Sequence, residues 1–174
     1  MRATKQQAPT STSEGSSPTL IRSSEADDVP IILSLAEGTH VFAPLDIIGL
    51  QEDFESYFAR KFDPQDRIVT CKHADSIVGF AHYGPAAITQ GTWYLYWIVV
   101  DRHRQGLGLG SSLLRHVEAG ARAEGGRIML IETSTLARYE PTRRFYLGQG
   151  YQQECVIRDY YCDGDDKIIF SKRL

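Results

Sequence analysis

The stretch Trp97-Ile-Val-Val-Asp-Arg-His-Arg-Gln-Gly-Leu-Gly-Leu-Gly-Ser-Ser-Leu-Leu114 leaves this chain little freedom in how it can fold. An apolar, β-branched segment runs through a short basic loop into three alternating glycines, and helical spacing follows. A strand, a glycine turn and a helix in that order make the first half of a βαβ crossover. Gly106, Gly108 and Gly110 carry no Cβ, so the backbone can turn sharply and a ligand can approach its N–H groups. The first helical turn adds unpaired N–H donors and a partial positive charge. The combination suits an anion, most often phosphate. Arg102 and Arg104 add formal positive charge just before it.

The rest of the chain is punctuated around this unit. Residues 1–18, rich in Ser, Thr, Gln and Pro, offer almost nothing to a core and are expected to be a disordered extension or an appended tail. One folded domain is expected over residues 19–174. Residues 20–23 suit a first strand, and Ser24 suits the cap of a helix whose apolar stripe is Val29, Ile32, Leu33 and Ala36. A second helix is expected over residues 47–62. Residues 67–72 and 76–83, joined by His73-Ala74-Asp75, read as a hairpin. Residues 91–100 are apolar or aromatic on both alternating faces, which marks a central strand covered on both sides. The helix after the glycines presents Leu109, Leu113, Val117 and Ala121 on one face. Residues 127–133 form another buried strand, and residues 140–147 a short helix with Pro141 in its first turn. Two closing strands, residues 154–161 and 167–172, flank a turn at Asp163-Gly164-Asp165-Asp166. The order β, α, α, β, β, β, α, β, α, β, β gives a mixed α/β fold, not a doubly wound array.

Composition narrows the partners. Nineteen Lys and Arg against 22 Asp and Glu leave a formal charge of -3, so no nucleic-acid footprint is present. No apolar stretch reaches the length of a membrane span. Cys71, Cys155 and Cys162 are odd in number and lack metal-ligand spacing, so buried or idle thiols, a reducing cytoplasmic location and no metal are expected.

Three ligand classes use glycine loops at helix starts. A nucleoside-triphosphate loop needs Gly-Lys-Ser/Thr, but Gly110 is followed by Ser111-Ser112. A dinucleotide fingerprint wants G-x-G-x-x-G and several successive βα units; this chain has G-x-G-x-G and two later helices, though Glu132 could supply the acid after the next strand. The third class fits best. Gln105-Gly106-Leu107-Gly108-Leu109-Gly110 matches Q/R-x-x-G-x-G/A, and Phe145-Tyr-Leu-Gly-Gln-Gly-Tyr151 supplies a separate Tyr-x-x-x-Gly-Tyr. In both, and in the strand ending Ile98-Val99-Val100, the chain resembles the GNAT superfamily of N-acetyltransferases, from about Leu20 to the C-terminus.

That resemblance implies a mostly antiparallel twisted sheet with one parallel βαβ crossover at the glycine loop and helices on both faces. It implies acetyl-CoA as co-substrate, its pyrophosphate on the N–H groups of Gln105, Gly106, Leu107, Gly108, Leu109 and Gly110. Its pantetheine arm would pair with Ile98, Val99 and Val100 like an added strand. It also implies Tyr146 as the proton donor to the departing sulfur, with Tyr139 and Tyr151 as weaker candidates and Tyr151 expected to pack. Glu132, ending a strand beside the cofactor strand, is the candidate base, its alternative being a structural hydrogen bond. Tyr94, Tyr96, Asp159, Tyr160 and Tyr161 are candidates for an acceptor pocket, against ordinary packing. One departure stands out: where many family members carry asparagine, this chain has Tyr139, with Arg143 or Arg144 as substitutes for that contact. The implied activity is direct acetyl transfer to a primary amine of a small molecule or peptide, in a monomer or homodimer. The alternatives are a non-catalytic acyl-CoA sensor on the same fold and, more distantly, a nucleotide-binding oxidoreductase.

Overall fold

A computed structural model describes residues 19–59 and 65–174. The expected tail, residues 1–18, and the end of the second expected helix lie outside the described residues. The elements are β1 (Thr19–Ser23), α1 (Val29–Gly38), α2 (Pro44–Phe58), β2 (Arg67–His73), β3 (Ser76–Pro85), β4 (Thr92–Val100), α3 (Leu109–Ala123), β5 (Ile128–Ser134), α4 (Glu140–Gly148), β6 (Gln152–Cys162) and β7 (Asp165–Arg173). The strands form one sheet in the order β1-β2-β3-β4-β5-β7-β6. Every neighbouring pair is antiparallel except β4 and β5, the parallel pair joined through the glycine loop and α3. The sheet therefore has the mixed, mostly antiparallel topology with one crossover.

Two apolar clusters cover the sheet. Leu109, Leu113, Val117 and Ala121 of α3 are all buried, packed with Trp93, Met129, Tyr146 and Phe170 on one face. Burial of each large aliphatic side chain contributes about 1.5–3 kcal/mol. On the other face, Ile32 of α1 and Leu50 and Phe54 of α2 pack on Phe80 and Val99. Local chemistry agrees at the β2–β3 hairpin. His73 pairs with Ser76 across a two-residue loop, and Ala74 and Asp75 take the positive φ values, 48° and 64°, that a primed turn needs.

Several local expectations are corrected. Ser24 does not cap α1; its hydroxyl pairs with Thr70 Oγ1 at 2.5 Å. Asp28 stands at the start of α1, but its carboxylate reaches back, accepting from the Glu25 N–H at 2.9 Å and from the Arg22 guanidinium at 2.7 and 2.8 Å. The hydrogen bond from Arg22 holds the Asp28 carboxyl below the usual carboxylate range against the opposing effect of burial. The guanidinium draws the acid inward, and the chain makes a 3-10 turn before Val29. The four-residue acidic turn shrinks to Asp163 and Gly164. Asp165 is instead buried on β7 with the Ser134 hydroxyl donating to it, and Asp166 accepts from the Asp159 N–H. Of the cysteines, Cys71 is buried, while Cys155 and Cys162 are exposed on the edge strand β6.

β4 carries an apolar cluster on each face, but it is not paired along its whole length. It pairs with β5 only from Thr92 to Leu95, opposite Ile128 to Ile131. On its other side, Trp97 opposes His82 and Leu95 opposes Tyr83, so Tyr96 is the extra residue where the register shifts. This bulge increases the local twist and swings the rest of β4 away from β5. It also inverts the alternation: Trp93 and Leu95 belong to the α3 face, as do Ile98 and Val100, whereas Trp97 and Val99 belong to the α1–α2 face. Beyond Leu95 the two halves of the sheet diverge, and a slot opens between residues 96–100 and residues 132–134.

Candidate active site

The slot is the centre of the site. The Asp101 N–H donates to the Val78 carbonyl at 2.8 Å. Antiparallel residues alternate in the direction of their peptide groups, so Val99 bonds toward β3 while Ile98 and Val100 turn theirs toward the slot. The Gln105 side-chain amide donates to the Val100 carbonyl at 3.2 Å, closing one end. Val99 is buried in the α1–α2 cluster; Ile98 and Val100 are half-buried at the slot wall. The slot thus offers the edge of a strand, with two residues' peptide groups pointing outward.

The glycine loop closes the slot at its lower end. Gly106 and Gly108 have φ of 81° and 78°, and Gly108 is the N-cap of α3. A side-chain carbon added at either would meet no atom within 4 Å. Glycine is therefore required there by the backbone dihedral and not by crowding, and the space over the loop stays open. Leu107 points outward and is exposed, whereas Leu109 is buried in the core. Gly110 already lies in the helix, against Phe145 and Val100. The first turn of α3 presents its unpaired N–H groups to this open space. Arg102, His103 and Arg104 form a short turn capped by the Asp101 carboxylate, which accepts from the His103 N–H at 2.9 Å, so the basic side chains stay at the surface.

Two cavities meet here. One, about 460 Å³, lies between the glycine loop and α4, lined by Gly106, Gly108, Gly110, Pro141 and Phe145. The other, about 800 Å³, runs along β4 to the α1–α2 connection and to the ends of β5 and β7. Ile98, Val100, Gln105, Thr142 and Tyr146 line both. Tyr146 is only 4% exposed, its ring packed against Phe145, Tyr151 and Phe170. Its hydroxyl has no hydrogen bond to the described residues, and burial raises its pKa well above the ordinary tyrosine value. The phenol therefore keeps its proton and faces the junction of the cavities.

Glu132 lines the larger cavity, with its Oε2 accepting from Lys167 Nζ at 2.7 Å. Lys167 is buried and also lies 3.7 Å from the centroid of the Tyr160 ring. Tyr94, Tyr96 and Tyr161 line this cavity; Asp159 and Tyr160 do not. Tyr139 lines it too, but Arg143 is committed elsewhere, donating to the Ser134 and Leu136 carbonyls at 2.7 and 3.0 Å. Arg144 pairs with Glu140 at the surface. Tyr151 packs and donates to Glu118 Oε1 at 3.1 Å. Among the described residues, no group of three His, Cys, Asp or Glu side chains could hold a metal ion, and no helix is long and apolar enough to cross a membrane.

Asp46, Asp53 and Arg138 also line the larger cavity and escape a reading of the sequence. Asp46 and Asp53 are seven residues apart, two helical turns, so one face of α2 carries both. That spacing was visible, but it is masked by the stronger apolar stripe of Leu50 and Phe54.

Comparison with known proteins agrees with this geometry. The model of the Acetyltransferase (GNAT) family matches residues 35–151. A GNAT-family protein from Desulfovibrio desulfuricans is 36% identical, with a TM-score of 0.83 over 90% of this chain and 99% of its own. The ribosomal-protein-S18-alanine N-acetyltransferase of Escherichia coli is 20% identical, with a TM-score of 0.69 over 90% of this chain and 94% of its own. An aminoglycoside 6′-N-acetyltransferase solved with coenzyme A is 18% identical, with a TM-score of 0.69 over 88% and 96%. These last two share the fold. No curated protein matches the chain by sequence.

Proposed function

This chain belongs to the GNAT family of acetyltransferases, and from that premise we propose that it transfers an acetyl group from acetyl-CoA directly to a primary amine. The observation that carries the reading is the buried, protonated Tyr146 hydroxyl at the junction of the glycine-loop cavity and the larger one. The residues fit the co-substrate. The open cradle over Gly106 and Gly108, backed by the N–H groups from Gln105 to Gly110, suits a pyrophosphate. The slot-facing peptide groups of Ile98 and Val100 suit the amides of a pantetheine arm, with Val99 holding the strand in the sheet from behind. The Gln105 amide would give up the Val100 carbonyl to that arm.

Bound acetyl-CoA supplies an acyl carbon activated as a thioester, with a thiolate as leaving group. The chain's own residues deal with two protons. An alkylammonium, of pKa near ~10.4, must lose a proton to become a nucleophile. Glu132 is the group assigned to receive it, directly or through a water; Lys167 holds its Oε2, and the residue lines the cavity. Tyr146 delivers its hydroxyl proton to the departing sulfur, and the second proton shed by the newly acylated nitrogen restores the phenol. No cysteine is assigned a covalent role. Cys71 lies in the core, where burial raises its thiol pKa, and Cys155 and Cys162 sit on β6 outside the cavity lining. Replacing Cys155 and Cys162 by Ser and Cys71 by Ala is expected to leave turnover largely intact; a collapse in a folded variant would replace direct transfer with an acyl-enzyme route. These unpaired thiols are in keeping with a cytoplasmic location.

Gly108→Val tests the cofactor loop. A β-branched residue at φ 78° carries about 1–3 kcal/mol of strain. The loop is expected to relieve it by moving its N–H groups, raising KM for acetyl-CoA by about tenfold or more, with a smaller change in kcat. An unchanged KM would move the pyrophosphate site elsewhere. The overall function is tested by thermal shift with acetyl-CoA followed by thiol release over a panel of amines. A shift together with turnover supports the transferase. A shift with no turnover on any amine marks an acyl-CoA sensor, and stabilisation by NAD(P) in place of acetyl-CoA would mark a nucleotide-binding protein.

A further inference from the structure

Charge is distributed unevenly around the larger cavity. Four carboxylates line it, those of Asp46, Asp53, Glu132 and Asp165, against one cation, Arg138. Glu132 is neutralised by Lys167. The other three have hydrogen bonds but no cationic partner among the described residues. Asp46 accepts from the Ala43 N–H at 2.7 Å, Asp53 from the Trp97 indole N–H at 2.9 Å, and Asp165 from the Ser134 hydroxyl. Asp165 is only 6% exposed, and Asp46 and Asp53 are half-buried. A carboxylate removed from water without a counter-charge is costly unless something else supplies the charge. Arg138 does so weakly: it is exposed and stacked over the Tyr139 ring at 5.4 Å.

The negative charge falls into two zones. Tyr139 lies within the field of both Asp46 and Asp165, which together with burial raise the pKa of its phenol, while Arg138, hydrogen-bonded to it and stacked on its ring, opposes them. Asp53 lies apart from them, on the Trp97 indole, which Phe42 meets edge-on at 5.5 Å. The Tyr139 ring already carries Arg138, whereas the Asp53 zone pairs a carboxylate with an aromatic surface that holds no cation among the described residues, the combination that holds an alkylammonium by ion pairing and by the negative face of a ring.

We infer that the acceptor is an amine carrying a second positive charge, a diamine or larger polyamine-like cation, with one ammonium held by Asp53 beside Trp97. The inference rests on the proposed amine acetylation at this same cavity. Its occupant follows from the net negative charge of the lining, which a monoamine held at the reacting centre would leave unanswered at Asp53.

The test compares 1,5-diaminopentane with 1-aminohexane, which have nearly the same length and differ by one charge. The diamine is expected to exceed the monoamine in kcat/KM by about tenfold or more, a preference that shrinks as salt is raised. In Asp53→Asn, which keeps an acceptor for the Trp97 indole, the ratio is expected to fall severalfold, chiefly through KM for the diamine. Equal kcat/KM for the two amines in the wild-type protein, or a ratio unmoved by both Asp53→Asn and Asp46→Asn, would overturn the inference while leaving the transferase reading in place. If neither amine is acetylated, calorimetric titration of each onto the protein saturated with coenzyme A reads the same preference without chemistry. Tighter binding of the diamine then upholds the dication site although the transferase reading fails, and equal or absent binding of both overturns it.

Discussion

Tyr146→Phe is expected to lower kcat by about 10²–10⁴-fold, the range that a positioned general acid contributes, with KM for acetyl-CoA close to wild type. The substitution removes a single oxygen. The ring keeps its contacts with Phe145, Tyr151 and Phe170, so the unfolding midpoint should scarcely move. Any loss of rate is then chemical. The pH dependence adds a second measurement. Because burial raises the Tyr146 pKa above the ordinary tyrosine value, the hydroxyl remains a donor throughout the range in which an acceptor amine loses its proton. The wild-type kcat should therefore show no falling limb from Tyr146 up to about pH 10, where an unperturbed tyrosine would be half-ionised. Steady-state thiol release from pH 6 upward reads both effects. A kcat that survives the substitution would remove Tyr146 from the reaction, whatever its position.

The second large effect concerns stability. Glu118 lies within α3 and is only 4% exposed, yet it is charged. It accepts from Lys172 Nζ at 2.8 and 3.0 Å and from the Tyr151 hydroxyl at 3.1 Å, with Arg122 at 3.7 Å. It thereby ties α3 to β7 and to Tyr151, between α4 and β6. Glu118→Ala leaves an ammonium and a phenol without their acceptor. Breaking a buried pair typically costs about 3–5 kcal/mol. The lower end applies, because the Lys172 side chain keeps a quarter of its exposure and can turn its charge to water. A loss of about 3 kcal/mol corresponds to roughly 6–12 °C in Tm for a domain of this size. Urea unfolding followed by circular dichroism measures it directly. Glu118→Gln, which keeps an acceptor and removes the charge, should lose less. Because the Tyr151 ring supports that of Tyr146 at 6.0 Å between centroids, Glu118→Ala should also lower kcat modestly at a temperature where it is folded. Equal stability of the wild type and Glu118→Ala would show that the cluster contributes nothing net.

Much of the architecture was legible because local rules and tertiary packing agree. Leu109, Leu113, Val117 and Ala121 recur at helical spacing and all reach the core. The two-residue turn at Ala74 and Asp75 lies between its predicted strands. Ser24 shows the opposite case: a good local cap was bypassed because Arg22 and Asp28, six residues apart, make a stronger pair once β1 is in place. The role of Glu118 was hidden for a similar reason. An acid inside a helix normally faces water, and its partners Tyr151 and Lys172 are 33 and 54 residues away. The slot was not legible at all. Nothing in Thr92-Trp-Tyr-Leu-Tyr-Trp-Ile-Val-Val100 marks Tyr96 as the bulged residue, since that depends on where β3 and β5 pair with the strand. The alternation rule read the two covered faces of β4, but it carries no information about the unpaired edge of its C-terminal half.

The sequence by itself determined the glycine turn and the crossover, and its motifs pointed to the family and, through that resemblance, to Tyr146 as a candidate. The first two rest on short-range chemistry, backbone freedom at two glycines and unpaired N–H groups at a helix start; the last two rest on the resemblance of short motifs. Only the tertiary structure decided that the sheet splits at Tyr96, that Ile98 and Val100 and not Val99 turn their peptide groups outward, and that Asp46, Asp53 and Asp165 line one cavity against a single cation that is not paired with an acid there, Arg138. Charges far apart in the chain come to line the same cavity only when the fold brings them there, so its excess of negative charge could not be read before the fold was known.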